Sequence, residues 1–275
     1  MKTHVLIDGL FVVTAFHEMM TPGGSYAEYA VAWDWTTFHI PRSISFEEAA
    51  SLPLAVLTAC VGLYETRNLG LSNPWDPATE GETPLLVYGG ASAVGAYAIQ
   101  LAKKSNVHPI IAVAGRGKAF VEGLIDRSKG DTIVDYRDGD EAVVAGIKKG
   151  LNGKGLLHAF DAVSEKGSFV NIGKVMEKGG RIALVLPGAD YGAIPEGIKA
   201  CRVQVGDVHK PEYKDFGRVH FNNIKEGLEA GWLKPHPHEV IPGGLEGVET
   251  GMRNLKAGKA SATKYVFRIE DTPGL

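Results

Sequence analysis

The chain has 275 residues, of which 44% are hydrophobic and 22% are charged. This composition is typical of a folded α/β protein and excludes an intrinsically disordered chain. The 29 Lys and Arg residues and the 32 Asp and Glu residues give a formal net charge of −3. Because there is no basic excess, we expect no nucleic acid and no acidic membrane as a partner. No apolar run has the length of a membrane span, so we expect a cytoplasmic enzyme.

The N-terminal residues 1–16 contain one lysine followed by mostly apolar residues, a pattern loosely similar to a signal peptide. Asp8 interrupts the apolar run, and no small-residue cleavage site follows it. A strand or short helix packed on the domain is therefore the preferred interpretation. An incorrect translation start is the third alternative.

Residues 23–71 show two patterns in succession. Over 23–40, small and aromatic residues alternate as in short antiparallel strands, and Pro41 ends this stretch. Over 45–71, apolar residues recur at helical spacing. Ser45 with Glu48 three residues later is typical of a capping box, and Pro53 is expected to divide the stretch into two helices.

From residue 85 onward, apolar strands alternate with amphipathic helices. Strands are predicted at 85–89, 109–115, 132–136, 156–163, 181–187 and 201–208. Helices are predicted at 94–104, 118–127, 141–149, 168–177, 215–230 and 245–256, with a proline-rich turn at 234–238 and a last strand at 264–269. This alternation predicts an α/β fold with a doubly wound parallel sheet of the Rossmann type.

The strongest chemical signal is the segment LLVYGGASAVG at residues 85–95. A buried strand enters a turn of small residues, with Gly89, Ser92 and Gly95 at the key spacing, and the turn opens a helix. Such a turn lets backbone N–H groups approach a pyrophosphate at the positive end of the helix. We therefore predict dinucleotide binding. The alternatives are a purely structural turn and a methyltransferase-like nucleoside site.

The choice of coenzyme depends on the end of the second strand of the alternation. A site that prefers NAD places Asp or Glu there, whereas this chain has Arg116 and Gly117. An arginine suits a 2′-phosphate, so NADPH is favoured over NADH. The alternative is an ordinary surface arginine. Tyr136, at the end of the third strand, is expected to contact the adenine or the 2′-phosphate, unless it serves only in packing.

Several segments together resemble the medium-chain dehydrogenase/reductase superfamily, and they occur in the same order along residues 23–269. They are SYAEYAVA, SLPLAVLTACVGLYE, GGASAVGAYAIQLAK, DYRDGD and FDAVSEKG. The C-terminal segment VIPGGLEGVETGMRNLKAGKASATKYVFRI resembles the fungal zinc-independent reductases described as enoyl reductase-like, ToxD-like or quinone oxidoreductase-like.

The resemblance implies a set of coenzyme contacts. It places the pyrophosphate turn at Ser92, Ala93, Val94 and Gly95, the 2′-phosphate loop at Arg116 and Gly117 with Tyr136, the nicotinamide contacts at Val163, Ser164, Leu186 and Pro187, and a C-terminal contact at Ser261 and Ala262. It also places Thr58 between coenzyme and substrate. His209 lies at the end of the predicted sixth strand, where it serves as a proton donor or as a structural histidine. No catalytic residue is assigned.

Family members begin with a GroES-like β domain, of which this chain is expected to retain only a remnant. The expected organisation is a GroES-like remnant at 1–45, a dinucleotide-binding domain at 46–230 and a C-terminal segment at 231–275 that returns to the remnant. Cys60 and Cys201 exclude a disulfide framework and lack zinc-ligand spacing, and His236 and His238 are expected to be exposed and unliganded. We therefore predict no metal.

The function that these observations favour is NADPH-dependent reduction of an activated double bond, in an enoyl thioester or an α,β-unsaturated carbonyl. The alternatives are an NADPH:quinone reductase and a truncated NADPH-binding protein without turnover. Motifs of hydrolases (GxSxG) and of P-loop NTPases are absent. The predicted partner is a small-molecule or thioester substrate, and the chain is expected to be a monomer or a homodimer.

Overall fold

The computed structural model describes residues 11–13, 26–27, 32–78 and 83–275. The chain divides into two compact units: the first comprises Met1–Leu57 and Val205–Leu275, and the second comprises Thr58–Gln204. Residues 205–230, which the sequence assigned to the dinucleotide-binding domain, thus belong to the first unit. Most of the signal-peptide-like stretch lies outside the described residues.

The regular elements follow each other in the predicted alternation. The described strands are β1 (Phe11–Val13), β2 (Thr37–His39), β3 (Leu85–Tyr88), β4 (Ile110–Ala114), β5 (Thr132–Asp135), β6 (His158–Asp161), β7 (Arg181–Leu184), β8 (Lys199–Arg202), β9 (His238–Val240) and β10 (Lys264–Val266). The described helices are α1 (Phe46–Ala50), α2 (Pro53–Tyr64), α3 (Ala93–Lys104), α4 (Lys118–Glu122), α5 (Asp140–Leu151), α6 (Ser168–Gly173), α7 (Lys214–Glu229) and α8 (Val248–Lys256).

The second unit is built on a six-stranded parallel sheet in the order β5-β4-β3-β6-β7-β8. All residues of β3 and β4 are buried, as expected for central strands covered on both faces. The strand order reverses between β3 and β6, and ligands of doubly wound sheets bind at the carboxyl ends of the strands at such a reversal. The predicted fold class is confirmed, and the sheet itself indicates where a ligand site belongs.

Glycines bring helices close to this sheet. A Cβ at Gly62 of α2 would overlap the ring of Phe160 in β6, and a Cβ at Gly146 of α5 would lie 2.8 Å from Val134 in β5. On the face covered by α5 and α6, the core joins residues from five strands and two helices. Its members include Leu86, Ile111, Val134, Ala159, Ile182, Val143, Ile147 and Ile172. This tight packing holds the strand ends in place.

Within its described residues, the first unit contains two small sheets. β1 pairs with β2 in antiparallel orientation, and β9 pairs with β10 in parallel orientation. Phe38 of β2 packs against Phe221 of α7 with ring centroids 5.6 Å apart. The buried indole of Trp35 donates a hydrogen bond of 2.8 Å to the carbonyl of Val208. The N- and C-terminal segments of the chain therefore fold together.

Of the stretch 23–40 that was expected to form short antiparallel strands, the structure describes 26–27 and 32–40, in which Asp34–Thr36 is a 3-10 helix and β2 pairs with β1. The predicted capping box and the helix division at Pro53 are confirmed. The Ser45 side chain accepts from the Glu48 amide at 3.1 Å, and the Glu48 carboxylate accepts from the Ser45 amide at 2.8 Å. This reciprocal capping box begins α1, and Pro53 begins α2. Proline is tolerated there because the first helical residue has no intrahelical acceptor for its N–H.

Two predictions in the second half of the chain are wrong. The sixth strand ends at Arg202, and Val205–His209 forms a short 3-10 helix, since the amide of Lys210 bonds back to the Asp207 carbonyl at 2.9 Å. The histidines of the proline-rich turn are not both exposed. His238 opens β9, whose pairing with β10 draws the segment inward and leaves His236 only 1% exposed.

Candidate functional site

The turn after β3 requires glycine at its first position. Gly89 has φ +82°, a left-handed conformation that other residues rarely adopt. The amides of Gly89 and Gly90 both donate to the Val113 carbonyl of β4, at 3.0 and 2.9 Å. A Cβ at Gly89 would lie 2.7 Å from Cγ2 of Val163. The turn is therefore fixed between the ends of β4 and β6.

The helix that follows begins in contact with this turn. Ser92 caps α3 by accepting from the Gly95 amide at 3.1 Å, and a Cβ at Gly95 would overlap the Gly89 carbonyl oxygen. The amides of Ala93 and Val94 belong to the first turn of α3, so their N–H groups have no acceptor within the helix. They also lie at the positive end of the helix dipole. A half-exposed backbone cradle with these two donors fits the pyrophosphate of a dinucleotide.

The edge beside β4 carries cations and an aromatic ring. The ring of Tyr136 lies directly on Gly115, where an added Cβ would be 2.5 Å from its Cε1 and Cζ atoms. Arg116 is exposed, Gly117 caps α4, and Lys118 opens that helix as a second exposed cation. With 48% of Tyr136 exposed, this is a shallow positive surface that suits a phosphate ester beside a flat base. Lys118 was not singled out from the sequence.

An ion pair adjoins this surface. Asp135 accepts from the main-chain amide of Arg137 at 3.0 Å and from its guanidinium Nε at 2.9 Å and Nη2 at 2.5 Å. The hydrogen bonds from the Arg137 side chain lower the pKa of Asp135 to about 2. Sequence reasoning missed the pair, although an acid followed two residues later by a cation at a strand end was a readable signal.

We expect this pair to persist down to acid pH. Because the pKa of Asp135 is lower in the folded chain than in the unfolded chain, its contribution to stability is complete above the ordinary carboxyl pKa and is lost as pH falls through about 2. An NMR titration of the Asp135 carboxyl carbon should show a midpoint near that value, with Asp135→Asn identifying the signal. A midpoint near 4 would contradict the ion pair.

The loop after β6 is held by a buried carboxylate. Asp161 is fully buried and accepts from the amides of Val163 and Ser164, at 3.0 and 2.8 Å, and from the Ser168 hydroxyl at 2.6 Å. Burial raises the pKa of Asp161 despite these bonds. Ser164 has φ +56° and bonds through its hydroxyl to the Asp161 carbonyl and the Val185 amide. The carboxylate thus fixes the backbone conformation predicted to adjoin the nicotinamide.

The loop after β7 reaches the same edge of the sheet. Leu186 and Pro187 are exposed, and the hydroxyl of Tyr191 donates to the Leu186 carbonyl at 2.6 Å. Phe169 packs edge-on against Tyr191 with centroids 5.2 Å apart. Because the ends of β3, β4, β5, β6 and β7 meet at one edge, the structure brings together most of the predicted coenzyme contacts.

The remaining predicted residues do not follow strands of this sheet edge in the chain. Thr58 is 8% exposed in α2, one turn before Gly62. His209, which ends a 3-10 helix rather than a strand, belongs to the first unit, as do Ser261 and Ala262. Their roles toward coenzyme and substrate therefore stay predictions.

The described residues give no sign of a metal centre. Among them, no group of three or more His, Cys, Asp or Glu side chains is placed to hold a metal ion. Cys60 and Cys201 are both buried. Nor does the described part contain a helix that is long and apolar enough to cross a membrane.

Comparison with known proteins gives both sequence relatives and structural neighbours, and reductases and dehydrogenases are among them. No protein-family model matches the chain. Trans-enoyl reductase fsr4 of Gibberella fujikuroi is 47% identical over 237 residues, which cover 86% of this chain and 69% of the relative. Trans-enoyl reductase fsa3 of a Fusarium species is 31% identical over 266 residues, which cover 90% of this chain and 72% of the relative.

Solved structures agree with this result. A crystal structure of an NAD-dependent alcohol dehydrogenase matches 88% of this chain with a TM-score of 0.67 and 27% identity, and the match spans 64% of that protein. The CurK enoyl reductase matches 84% of this chain, and 66% of its own length, with a TM-score of 0.65 at 19% identity, which supports the fold alone. On the fold, the turn and these relatives together, the chain belongs to the trans-enoyl reductases of the medium-chain dehydrogenase/reductase superfamily, a family of nicotinamide-dependent oxidoreductases.

Proposed function

We propose that this chain is an NADPH-dependent, zinc-independent enoyl reductase that acts on an enoyl thioester or an α,β-unsaturated carbonyl. The observation that carries the proposal is the surface around Gly115, where Arg116, Lys118 and Tyr136 gather at the end of β4 and no acid occupies the position that binds the ribose of NAD. The 47% identity to a trans-enoyl reductase supports the reaction class.

The coenzyme, when bound, supplies the hydride, and the protein supplies binding and orientation. The amides of Ala93 and Val94 bind the pyrophosphate, and Lys118 with Arg116 binds the 2′-phosphate. The Asp161 network keeps the backbone of residues 163–164 beside the nicotinamide. Reduction of the double bond would place that hydride on the carbon β to the carbonyl, and water or a side chain would protonate the α carbon.

Zinc independence is supported by the state of the cysteines. Zinc binds thiolates, and burial raises the pKa of both Cys60 and Cys201. Both thiols therefore stay protonated at neutral pH. We expect turnover to be unaffected by prolonged treatment with a strong chelator such as EDTA, and a loss of turnover restored by added zinc would contradict this part of the proposal.

The 2′-phosphate site is tested by removing one of its two cations. Lys118→Ala should weaken NADPH binding about tenfold, since a charge-assisted contact to phosphate is worth roughly 1.5 kcal/mol, and should leave NADH binding within about twofold. Lys129→Ala is the matched control. This exposed lysine precedes β5 and so lies at the amino-terminal ends of the strands, away from the carboxyl edge that carries the proposed site. Equal losses for NADPH and NADH, or equal losses in the two variants, would oppose the assignment.

The reaction is tested by turnover with both substrate classes. Purified chain is incubated with NADPH and a panel of enoyl thioesters, enones and quinones, and coenzyme oxidation is matched to product by mass spectrometry. A saturated thioester or ketone formed in equal amount to the NADP⁺ supports the proposal. Reduction of quinones alone would favour the NADPH:quinone reductase alternative over the proposed enoyl reductase. Binding of NADPH without turnover of any substrate would favour the alternative of a non-catalytic NADPH-binding protein.

A further inference from the structure

We propose that Asp135 sets the strength of coenzyme binding by withholding Arg137 from the 2′-phosphate. The inference rests on the proposed function, because it concerns the same phosphate site. It adds a residue that does not itself bind the coenzyme but decides how many cations the phosphate meets.

The geometry places Arg137 at the site. It directly follows Tyr136, whose ring lies on Gly115 beside Arg116. Arg137 follows Asp135, the last residue of β5, by two positions, within the short 3-10 helix Tyr136–Asp138. Arg137 is thus a third cation at the carboxyl edge of β4 and β5, together with Arg116 and Lys118.

The hydrogen bonds show where the Arg137 charge is directed instead. Its Nε and Nη2 atoms both bond to Asp135, one to each carboxylate oxygen, in the planar two-bond arrangement that guanidinium and carboxylate groups favour. The Asp135 side chain is 11% exposed and that of Arg137 is 53% exposed. The carboxylate is therefore held in place, whereas the arginine has solvent on one side into which it can turn.

Two effects of Asp135 on a bound 2′-phosphate have the same sign. The carboxylate repels the phosphate directly, and it occupies the guanidinium that would otherwise pair with it. Lys118 is also within electrostatic reach of Asp135. Removing the charge of Asp135 should therefore tighten NADPH binding, and NADH, which has no 2′-phosphate, should be unaffected.

The turn itself does not depend on the charge. Asp135 also caps residues 136–138 by accepting from the Arg137 amide at 3.0 Å. An asparagine keeps an oxygen at that position and has nearly the same shape. Asp135→Asn is thus expected to keep Tyr136 in place, which a thermal melt and the NADH affinity both check.

The experiment is a set of NADPH and NADH titrations on four proteins. Asp135→Asn should bind NADPH roughly three- to tenfold more tightly than the parent chain, with a steeper dependence on salt and with NADH binding within about twofold. Adding Arg137→Ala to Asp135→Asn should abolish this gain. Asp138→Asn, which removes an equal charge from the same turn, should leave both affinities within about twofold.

The other outcomes separate the two proposals. If no protein of the set binds either coenzyme, the proposed function fails. If the parent chain binds NADPH but Asp135→Asn binds it equally or more weakly, the role of Asp135 is overturned while the coenzyme site stands. A gain that survives Arg137→Ala, or that Asp138→Asn reproduces, shows only general charge removal and also overturns the inference.

Discussion

Replacing Gly95 by alanine should weaken NADPH binding by about 100-fold. A Cβ at this position would overlap the carbonyl oxygen of Gly89 and would lie 2.9 Å from its carbonyl carbon and 3.1 Å from Cα of Gly90. These atoms are backbone, so the strand end and the helix start must separate. The amides of Ala93 and Val94 then lose their alignment. Two charge-assisted hydrogen bonds, at about 1.5 kcal/mol each, account for the expected loss.

The same substitution should lower the free energy of unfolding by roughly 1–3 kcal/mol, the usual effect of overpacking. Gly123→Ala is the matched control in the second unit. Its φ is −73°, and the nearest atom to an added Cβ is the Phe120 carbonyl oxygen at 3.4 Å. NADPH titration of both variants measures the change in affinity, and chemical denaturation measures the change in the free energy of unfolding. Gly95→Ala with unchanged NADPH affinity would show that the turn does not hold the pyrophosphate.

The second large effect is expected at Asp161. Asp161→Ala removes the acceptor for the amides of Val163 and Ser164 and the hydroxyl of Ser168, all at a fully buried position. Unpaired buried donors and the cavity together should lower the free energy of unfolding by about 3 kcal/mol or more. Coenzyme binding should weaken as well, because the loop that is predicted to adjoin the nicotinamide loses its support.

Asp161→Asn separates hydrogen bonding from charge. Its oxygen can accept both amide hydrogens, which converge on one carboxylate oxygen, and its NH₂ group can donate to the Ser168 hydroxyl. We expect a free energy of unfolding within about 1 kcal/mol of the parent chain. If Asp161→Asn lowers the free energy of unfolding as much as Asp161→Ala does, the negative charge of Asp161 is required and hydrogen bonding alone does not explain its role.

The pH dependence of stability gives a further check on Asp161. Burial raises its pKa above that of the unfolded chain, so the folded chain holds this proton more tightly. The contribution of Asp161 is therefore complete below the ordinary carboxyl pKa and declines as pH rises through the raised value. Asp161→Asn, which has no proton to release, should show a flatter stability curve over that range. An unchanged curve would contradict the raised pKa.

The sheet was predictable because most of its strands are short and apolar, and because β3, β4, β5 and β6 are each followed by a helix. Periodicity located the five strands β3 to β7, and the small residues of 89–95 marked the turn that is predicted to bind the coenzyme. The strand 201–208 was predicted too long because an apolar run does not reveal where chain reversal begins, here at the 3-10 helix Val205–His209. Strand β9 was missed because its pairing with β10 is a tertiary contact that the proline-rich sequence gives no hint of.

The parts of the candidate site that depend on backbone conformation were predictable from the sequence. The parts that depend on contacts between side chains of different strands were less predictable. Gly89 and Gly95 could be found because only glycine fits the turn. Lys118, Arg137 and Asp161 were not assigned to coenzyme binding, because their importance depends on which strand ends adjoin and which groups share hydrogen bonds. The sheet order β5-β4-β3 puts Tyr136 beside Gly115, and no spacing in the sequence measures that distance.

The proposed function depends on NADPH binding at the carboxyl edge of this sheet, and a fluorescence titration of the purified, folded chain measures that binding. NADPH and NADH are titrated in parallel under the same salt conditions. We expect saturable binding of both coenzymes, with NADPH bound about tenfold more tightly through its 2′-phosphate. Tighter binding of NADH, or no saturable binding of either coenzyme, would contradict it.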